Sequence, residues 1–196
     1  MGLSDKIALV DLDSTLVDYE GGLRSAMEPL YGPDEPRFEM HEDAPPYIEA
    51  RRNLIKKQPG FWRNLNRISL GFDVLDDLRD RDFELHILTK GPTKTTSAWS
   101  EKLEWVQNHV PDAQMTITQE KSLVYGRVLV DDYPPYFLKW LEVRPRGLVI
   151  GVAQPWNKDI EHPNFIRYDG TNRSQIQRAL DVAKMRNAGE ALAFNQ

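Results

Sequence analysis

The sequence predicts an α/β fold: a mainly parallel sheet with helices on both faces and a small helical insertion after the first strand. Three observations carry this expectation. An apolar run, Ile7 to Val10, ends in Asp11, one apolar residue and Asp13, the pattern of a buried parallel strand delivering two carboxylates to its C-terminal end. From Gly71 onward, short β-like apolar runs alternate with amphipathic helical ones, as in successive βαβ units. Between these regions lies a stretch rich first in proline and acidic residues and then in basic ones, which breaks the alternation.

Taken in order, Tyr19 to Leu30 sets Leu23, Met27 and Leu30 at helical spacing, so the chain is expected to leave the sheet as a helix. Tyr31 to Pro46 reads as loop, broken by Gly32-Pro33 and Pro45-Pro46. Pro46 to Lys57 reads as a helix whose basic face (Arg51, Arg52, Lys56, Lys57) is expected to be solvated. Pro59-Gly60 stops it before Phe61-Trp62. Residues 18–70 are therefore expected to form a helical cap on a core made of residues 1–17 and 71–196. In that core, helices are expected over Phe72 to Arg81, Trp99 to Val110, Tyr136 to Leu141 and Ser174 to Met185. Strands are expected over Phe83 to Leu88, Met115 to Thr118, Arg127 to Val130, Leu148 to Val152 and, at an edge, Phe165 to Tyr168. The last ten residues are expected to extend the final helix or to fray.

Length and composition narrow the function. A chain of 196 residues suffices for one core plus a small module. The net charge of −5 argues against a surface that coats nucleic acid, while leaving room for a local basic pocket. With no cysteine there are no disulfides, thiolate metal sites or cysteine nucleophiles, and a reducing cytoplasm is the expected home. No run approaches the roughly 18 apolar residues of a membrane span. There is no P-loop or dinucleotide fingerprint, and His41, His109 and His162 lack any metal-motif context. His86, inside a strand, is expected to be packed or hydrogen-bonded.

The strand ends are more telling. The first delivers Asp11 and Asp13, the second Thr89-Lys90, the third is followed by Lys121, and the fourth runs into Asp131-Asp132. Taken singly, each has a plain explanation in turn chemistry or solvated surface. Together, at the C-terminal ends of successive parallel strands where ligands bind, they make the set that phosphoryl transfer needs. Carboxylates serve as nucleophile and hard-cation ligands, and a hydroxyl and an ammonium serve the phosphate oxygens.

On Asp11-Leu12-Asp13-Ser14-Thr15, Thr89, Lys121 and Asp131-Asp132, the chain resembles the haloacid dehalogenase (HAD) superfamily of phosphohydrolases. Within it, LVDYEGG, PGFWRNL, EKLEWVQNHV, TQEK and VLVDDYP are similar to the 5'(3')-deoxyribonucleotidases, the cytosolic type C 5'-nucleotidases. The resemblance implies a HAD-like Rossmannoid three-layer core with a cap. It further implies that Asp11 attacks phosphorus to give an aspartyl-phosphate and that Asp13 works as acid and then base. Mg²⁺ is implied on Asp11, the Asp13 backbone and one of Asp131 and Asp132, with Thr89 and Lys121 on the phosphate. By the same resemblance, Tyr19, Phe61 and Trp62 surround a base and Lys102 contacts phosphate. Phe61 and Trp62 could equally bury the cap against the core.

The chain departs from the subfamily at Ser14, usually glycine there, at Lys90, usually serine, and at Gln119, where an arginine is expected. The implied function is a Mg²⁺-dependent phosphomonoesterase acting on a small phosphorylated substrate, a nucleoside monophosphate first. The alternatives are another phosphate ester or a nucleic-acid end, or a non-catalytic binding protein on the same scaffold. Nothing in the sequence fixes the oligomeric state.

Overall fold

Ala8, Leu9 and Val10 have no exposed surface, as the middle of a sheet covered on both faces requires. They belong to β1 (Ile7–Val10), which with β2 (Glu84–Lys90), β3 (Gln114–Thr118), β4 (Val128–Val130), β5 (Leu148–Val152) and β6 (Phe165–Tyr168) forms a six-stranded sheet in the computed structural model, which describes residues 6–39 and 42–187. The order is β3-β2-β1-β4-β5-β6, and every pairing is parallel. The chain winds outward from β1 through β2 to β3, then returns to β4 on the other side of β1. That reversal creates a crevice above the C-terminal ends of β1 and β4, the usual ligand position in open α/β sheets.

The helices are α1 (Tyr19–Met27), α2 (Pro46–Lys56), α3 (Ser69–Arg79), α4 (Ser97–His109), α5 (Pro134–Glu142) and α6 (Arg173–Met185). Side chains alternate between faces along a strand. Ala8 and Val10 accordingly join a core with Val74, Leu75 and Leu78 of α3, Trp105 and Val106 of α4, and Ile176 and Leu180 of α6. Leu9 points the other way, joining Leu129, Val149 and Phe137, Trp140 and Leu141 of α5. The result is three layers, with α3, α4 and α6 on one face and α5 on the other.

Helices α1 and α2 pack on each other around Leu23, Met27, Ile48 and Ile55. The basic face of α2 is only partly solvated. Arg52 is 2% exposed, because its guanidinium ties the preceding loop down by donating to the carbonyls of Phe38 (3.0 Å) and Glu39 (2.8 Å). Arg51 pairs with Glu35.

Element boundaries shift by a few residues, with one consequence for function. Strand β2 runs on through Thr89 and Lys90, which pair with Ile117 and Thr118 of β3, so both side chains leave a hydrogen-bonded strand rather than a free loop. Helix α6 ends at Met185; the expectation for the last ten residues falls, beyond 187, outside the described residues, as does His41. No helix among the described residues is long and apolar enough to cross a membrane.

The turn after β1 is held closely. The Leu12 carbonyl accepts from the amides of Leu16 (2.8 Å) and Val17 (2.9 Å), and Gly71 of α3 packs against the Thr15 carbonyl so tightly that a Cβ there would lie 2.1 Å from the oxygen. Gly71→Ala is therefore expected to force the turn away from α3 and destabilise the fold by about 1–3 kcal/mol. Urea unfolding of the two proteins checks this, and equal midpoints would contradict it.

Candidate active site

Asp11 follows directly on β1, and its backbone amide donates to the Val130 carbonyl (2.8 Å). Strand β4 ends one residue before Asp131-Asp132, so this pairing brings the two acidic motifs side by side. Asp11, Asp131 and Asp132 are all buried and offer carboxylate oxygens within 4.8 Å of one another. Such a cluster is held together by cations. Lys121, 2% exposed, places Nζ 2.6 Å from Asp11 Oδ1 and 2.6 Å from Asp131 Oδ2. Burial would lower the Lys121 pKa, but the two carboxylates outweigh it and hold the ammonium above its ordinary value.

One lysine does not compensate the cluster fully. Burial, only partly opposed by Lys121, pushes Asp131 up to about 6. Burial and the neighbouring Asp131 and Asp11 charges push Asp132 well above its ordinary value. Three hard oxygen donors whose charge is under-compensated suit a hard divalent cation. Asp132 faces the cleft and is oriented from two sides: Thr15 Oγ1 donates to its Oδ1 (2.9 Å) and Trp156 Nε1 to its Oδ2 (3.0 Å).

Asp13 lies in the same cleft, paired through Oδ2 with Lys102 Nζ at 2.5 Å, while its Oδ1 is buried without a hydrogen-bond partner. Burial raises its pKa; Lys102 opposes the rise and Asp11 adds to it. The turn between Asp11 and Asp13 and helix α1 puts Ser14 at φ 58°, in the left-handed region where glycine is at ease. A glycine would meet this backbone demand freely, and Ser14 meets it with strain.

The cleft has a volume of about 430 Å³. Asp11, Asp13, Ser14, Lys121 and Asp132 line it at the sheet, and Tyr19, Glu20, Lys90, Tyr133, Tyr136 and Trp156 form its sides. Lys90 lies over the Tyr136 ring, Nζ 4.4 Å from the centroid. Thr89 is fully buried behind this surface, its Oγ1 accepting from Lys102 (3.1 Å).

Lys102, Trp62 and Phe61, also expected around substrate, do not line the cleft either. Lys102, 1% exposed, uses its Nζ on Asp13, Thr89 and the Lys90 carbonyl (2.9 Å), and so lies behind the cleft wall. Trp62, 4% exposed, stacks on Tyr19 (5.2 Å, 8°), and its Nε1 donates to the Lys56 carbonyl. Phe61 meets both rings edge-on, and the pair packs between the α1–α2 cluster and the main core. Glu101 fixes that loop by accepting from the amides of Gly60 (2.7 Å) and Trp62 (3.0 Å). His86 bonds Thr116 (2.6 Å), as a packed histidine would.

The aromatic sides of the cleft, Tyr133, Tyr136 and Trp156, escaped the sequence reading. The signal was present: Tyr133 and Tyr136 bracket Pro134-Pro135 just after Asp131-Asp132, and Trp156 follows the C-terminal end of β5. Both are strand-end positions of the kind already used for Thr89 and Lys121.

The site thus sits on a parallel sheet of strand order 3-2-1-4-5-6, with acidic residues after β1 and β4. Two solved structures are similar to this chain in overall fold: a HAD hydrolase of Entamoeba histolytica (TM-score 0.51, 12% identity, 91% of this chain and 99% of that one) and a provisionally named phosphoglycolate phosphatase of Lactobacillus delbrueckii (TM-score 0.56, 14% identity, with the same coverage). At such identities they speak to the fold alone. The family model described as "5' nucleotidase, deoxy (Pyrimidine), cytosolic type C protein" matches residues 5–173, and the chain belongs to that family of phosphoric monoester hydrolases. Among relatives, a provisionally named 5'(3')-deoxyribonucleotidase of Bordetella bronchiseptica is 26% identical over 163 residues, 78% of this chain and 86% of the relative. The human 5'(3')-deoxyribonucleotidase, cytosolic type, is 27% identical over 139 residues, 63% of this chain and 69% of the relative.

The raised carboxylates give a pH prediction. Between the ordinary aspartate value of 3.8 and about 6, the folded protein holds a proton at Asp131 that the unfolded chain has released, so in chelator this group's contribution to stability falls as pH rises through that window. A bound divalent cation removes that loss. Millimolar Mg²⁺ is expected to raise Tm more at about pH 7.5 than at about pH 5, by binding the folded state alone. Scanning calorimetry checks this, and a Tm indifferent to the cation at both pH values would contradict it.

Proposed function

We propose that the protein is a Mg²⁺-dependent 5'-nucleotidase that hydrolyses (deoxy)nucleoside monophosphates through a phosphorylated Asp11. The observation that carries this reading is the convergence of the strand-end residues on one cleft, with Asp11 and Asp13 on its floor and Lys121 beside them. In the first step an Asp11 oxygen attacks phosphorus as the bond to the leaving oxygen breaks, and Asp13 donates its proton to that oxygen. The raised pKa of Asp13 suits the protonated role. In the second step the Asp13 carboxylate takes a proton from water, whose oxygen attacks phosphorus. The bond to Asp11 breaks, and inorganic phosphate leaves with both aspartates restored.

Lys121 orients Asp11 and offsets charge as the phosphate enters. Lys102 holds Asp13 and Thr89 in register, fixing the acid-base group relative to the nucleophile. Asp11, Asp131 and Asp132 would hold the Mg²⁺, which when bound screens the phosphate from the carboxylates. Helices α1 and α2 act as the cap, carrying Tyr19 over the cleft. Tyr19, Tyr133, Tyr136 and Trp156 present flat apolar faces suited to a nucleobase. The name of the human relative, cytosolic type, supports extending a cytoplasmic location to this chain.

Asp11→Asn is expected to lower kcat on p-nitrophenyl phosphate by at least about 10³-fold while the protein stays folded. Assay with Mg²⁺ alongside circular dichroism tests this, and turnover near the wild-type rate in a folded variant would overturn the mechanism.

Lys90 favours a refinement. Its ammonium borders the cleft with no carboxylate partner among the described residues, so it favours esters carrying a second negative charge. Lys90→Gln is expected to lower kcat/KM for a nucleoside 3',5'-bisphosphate by about tenfold, the worth of one charge-assisted hydrogen bond, and for the 5'-monophosphate much less. Equal losses on both substrates would contradict this.

A further inference from the structure

Away from the catalytic cleft, where the chain enters β4 and β5 at the N-terminal end of the sheet, the structure holds a cavity of about 230 Å³. Four of its nine lining residues are arginines, Arg127, Arg144, Arg146 and Arg186, and none is acidic. Such a grouping is unusual in a chain of net charge −5.

Arg127 has a structural task. It is 3% exposed, and its Nη1 caps the end of α6 by donating to the carbonyls of Ala183 (3.1 Å), Lys184 (3.3 Å) and Arg186 (2.5 Å). The other three are less committed. Arg144 donates to the Ser122 carbonyl (2.7 Å), Arg146 to that of Asn187 (3.0 Å) and Arg186 to that of Arg127 (3.5 Å), each through one nitrogen and with no carboxylate partner among the described residues. A guanidinium carries five N–H donors, so most of theirs are unspent. Arg144 Nε is buried with no hydrogen-bond partner at all. Burial, then the charges of Arg127 and Arg146, lower the Arg186 pKa, and burial lowers that of Arg144.

Unspent forked donors facing a cavity without a counter-charge are what a tetrahedral oxyanion completes, because each guanidinium can grip two of its oxygens. Three such groups match more than one negative charge. The space exceeds a single phosphate, and the confinement of the arginines to one pit argues against the extended basic stripe that a nucleic-acid backbone requires. We propose that this cavity is a second anion site, separate from the catalytic cleft, that binds a phosphate or diphosphate group.

The test is calorimetric titration of the full-length protein with pyrophosphate in chelator, where the cation-free cleft presents its carboxylates to the probe. One saturable site is expected. Arg146→Gln/Arg186→Gln is expected to weaken it by at least about tenfold, with p-nitrophenyl phosphate hydrolysis unchanged, and Lys121→Met is expected to bind pyrophosphate as the wild type does. Arg146 is exposed, so Arg146→Gln alone, with at least a threefold loss, serves if the double variant melts early. No saturable binding, binding that survives the arginine substitutions, or binding lost with Lys121 would each overturn the proposal.

Discussion

Four aspartates at the ends of two neighbouring strands repel one another, and the rest of the structure is arranged around tolerating that repulsion. Asp11 and Asp13 follow β1, and Asp131 and Asp132 follow β4, on either side of the point where the chain reverses its winding. Lys121 spans Asp11 and Asp131, while Lys102 holds Asp13. Two buried ammoniums face four carboxylates, and burial, with the neighbouring carboxylate charges adding to it, raises the pKa of Asp13, Asp131 and Asp132. Three of these carboxylates, Asp11, Asp131 and Asp132, lie close enough together to hold one metal ion.

The two lysines are placed by different means. Lys121 opens a short helical turn after β3, whereas Lys102 reaches in from the middle of α4. The residue beside it, Glu101, ties down the loop that carries Phe61 and Trp62, so one dipeptide of α4 holds both Asp13 and the loop after α2. Trp62 then supports Tyr19 by stacking, and Tyr19 reaches the cleft. The placement of α1 and α2 and that of Asp13 are thereby linked through a few packed side chains.

Much of this was legible in the sequence because strand periodicity and strand-end chemistry are local signals. Ile7 to Val10 could be read as a buried parallel strand, and the acidic, threonine and lysine positions could be assigned to strand ends without knowing the sheet order. What lay beyond reach depended on packing across the chain. The burial of Trp62 and Lys102 follows from helices meeting residues about forty or ninety positions away, which no local pattern encodes. The burial of Arg52 likewise depends on where the loop at Phe38 and Glu39 folds back. Trp156 could have been found by carrying the strand-end rule one strand further. The left-handed φ of Ser14 is set by the turn after β1 and leaves no mark in a serine.

The central claim is that Asp11 is the group that takes the phosphoryl. Acid quenching of the enzyme with p-nitrophenyl phosphate and Mg²⁺ in the first turnover, followed by peptide mass analysis, tests it most directly. The account predicts a transient gain of one phosphoryl group on Asp11, in the peptide containing Asp11 to Asp18, that decays as inorganic phosphate appears. Steady hydrolysis with no phosphorylated peptide at any time, or with the phosphoryl group on another residue, would contradict it.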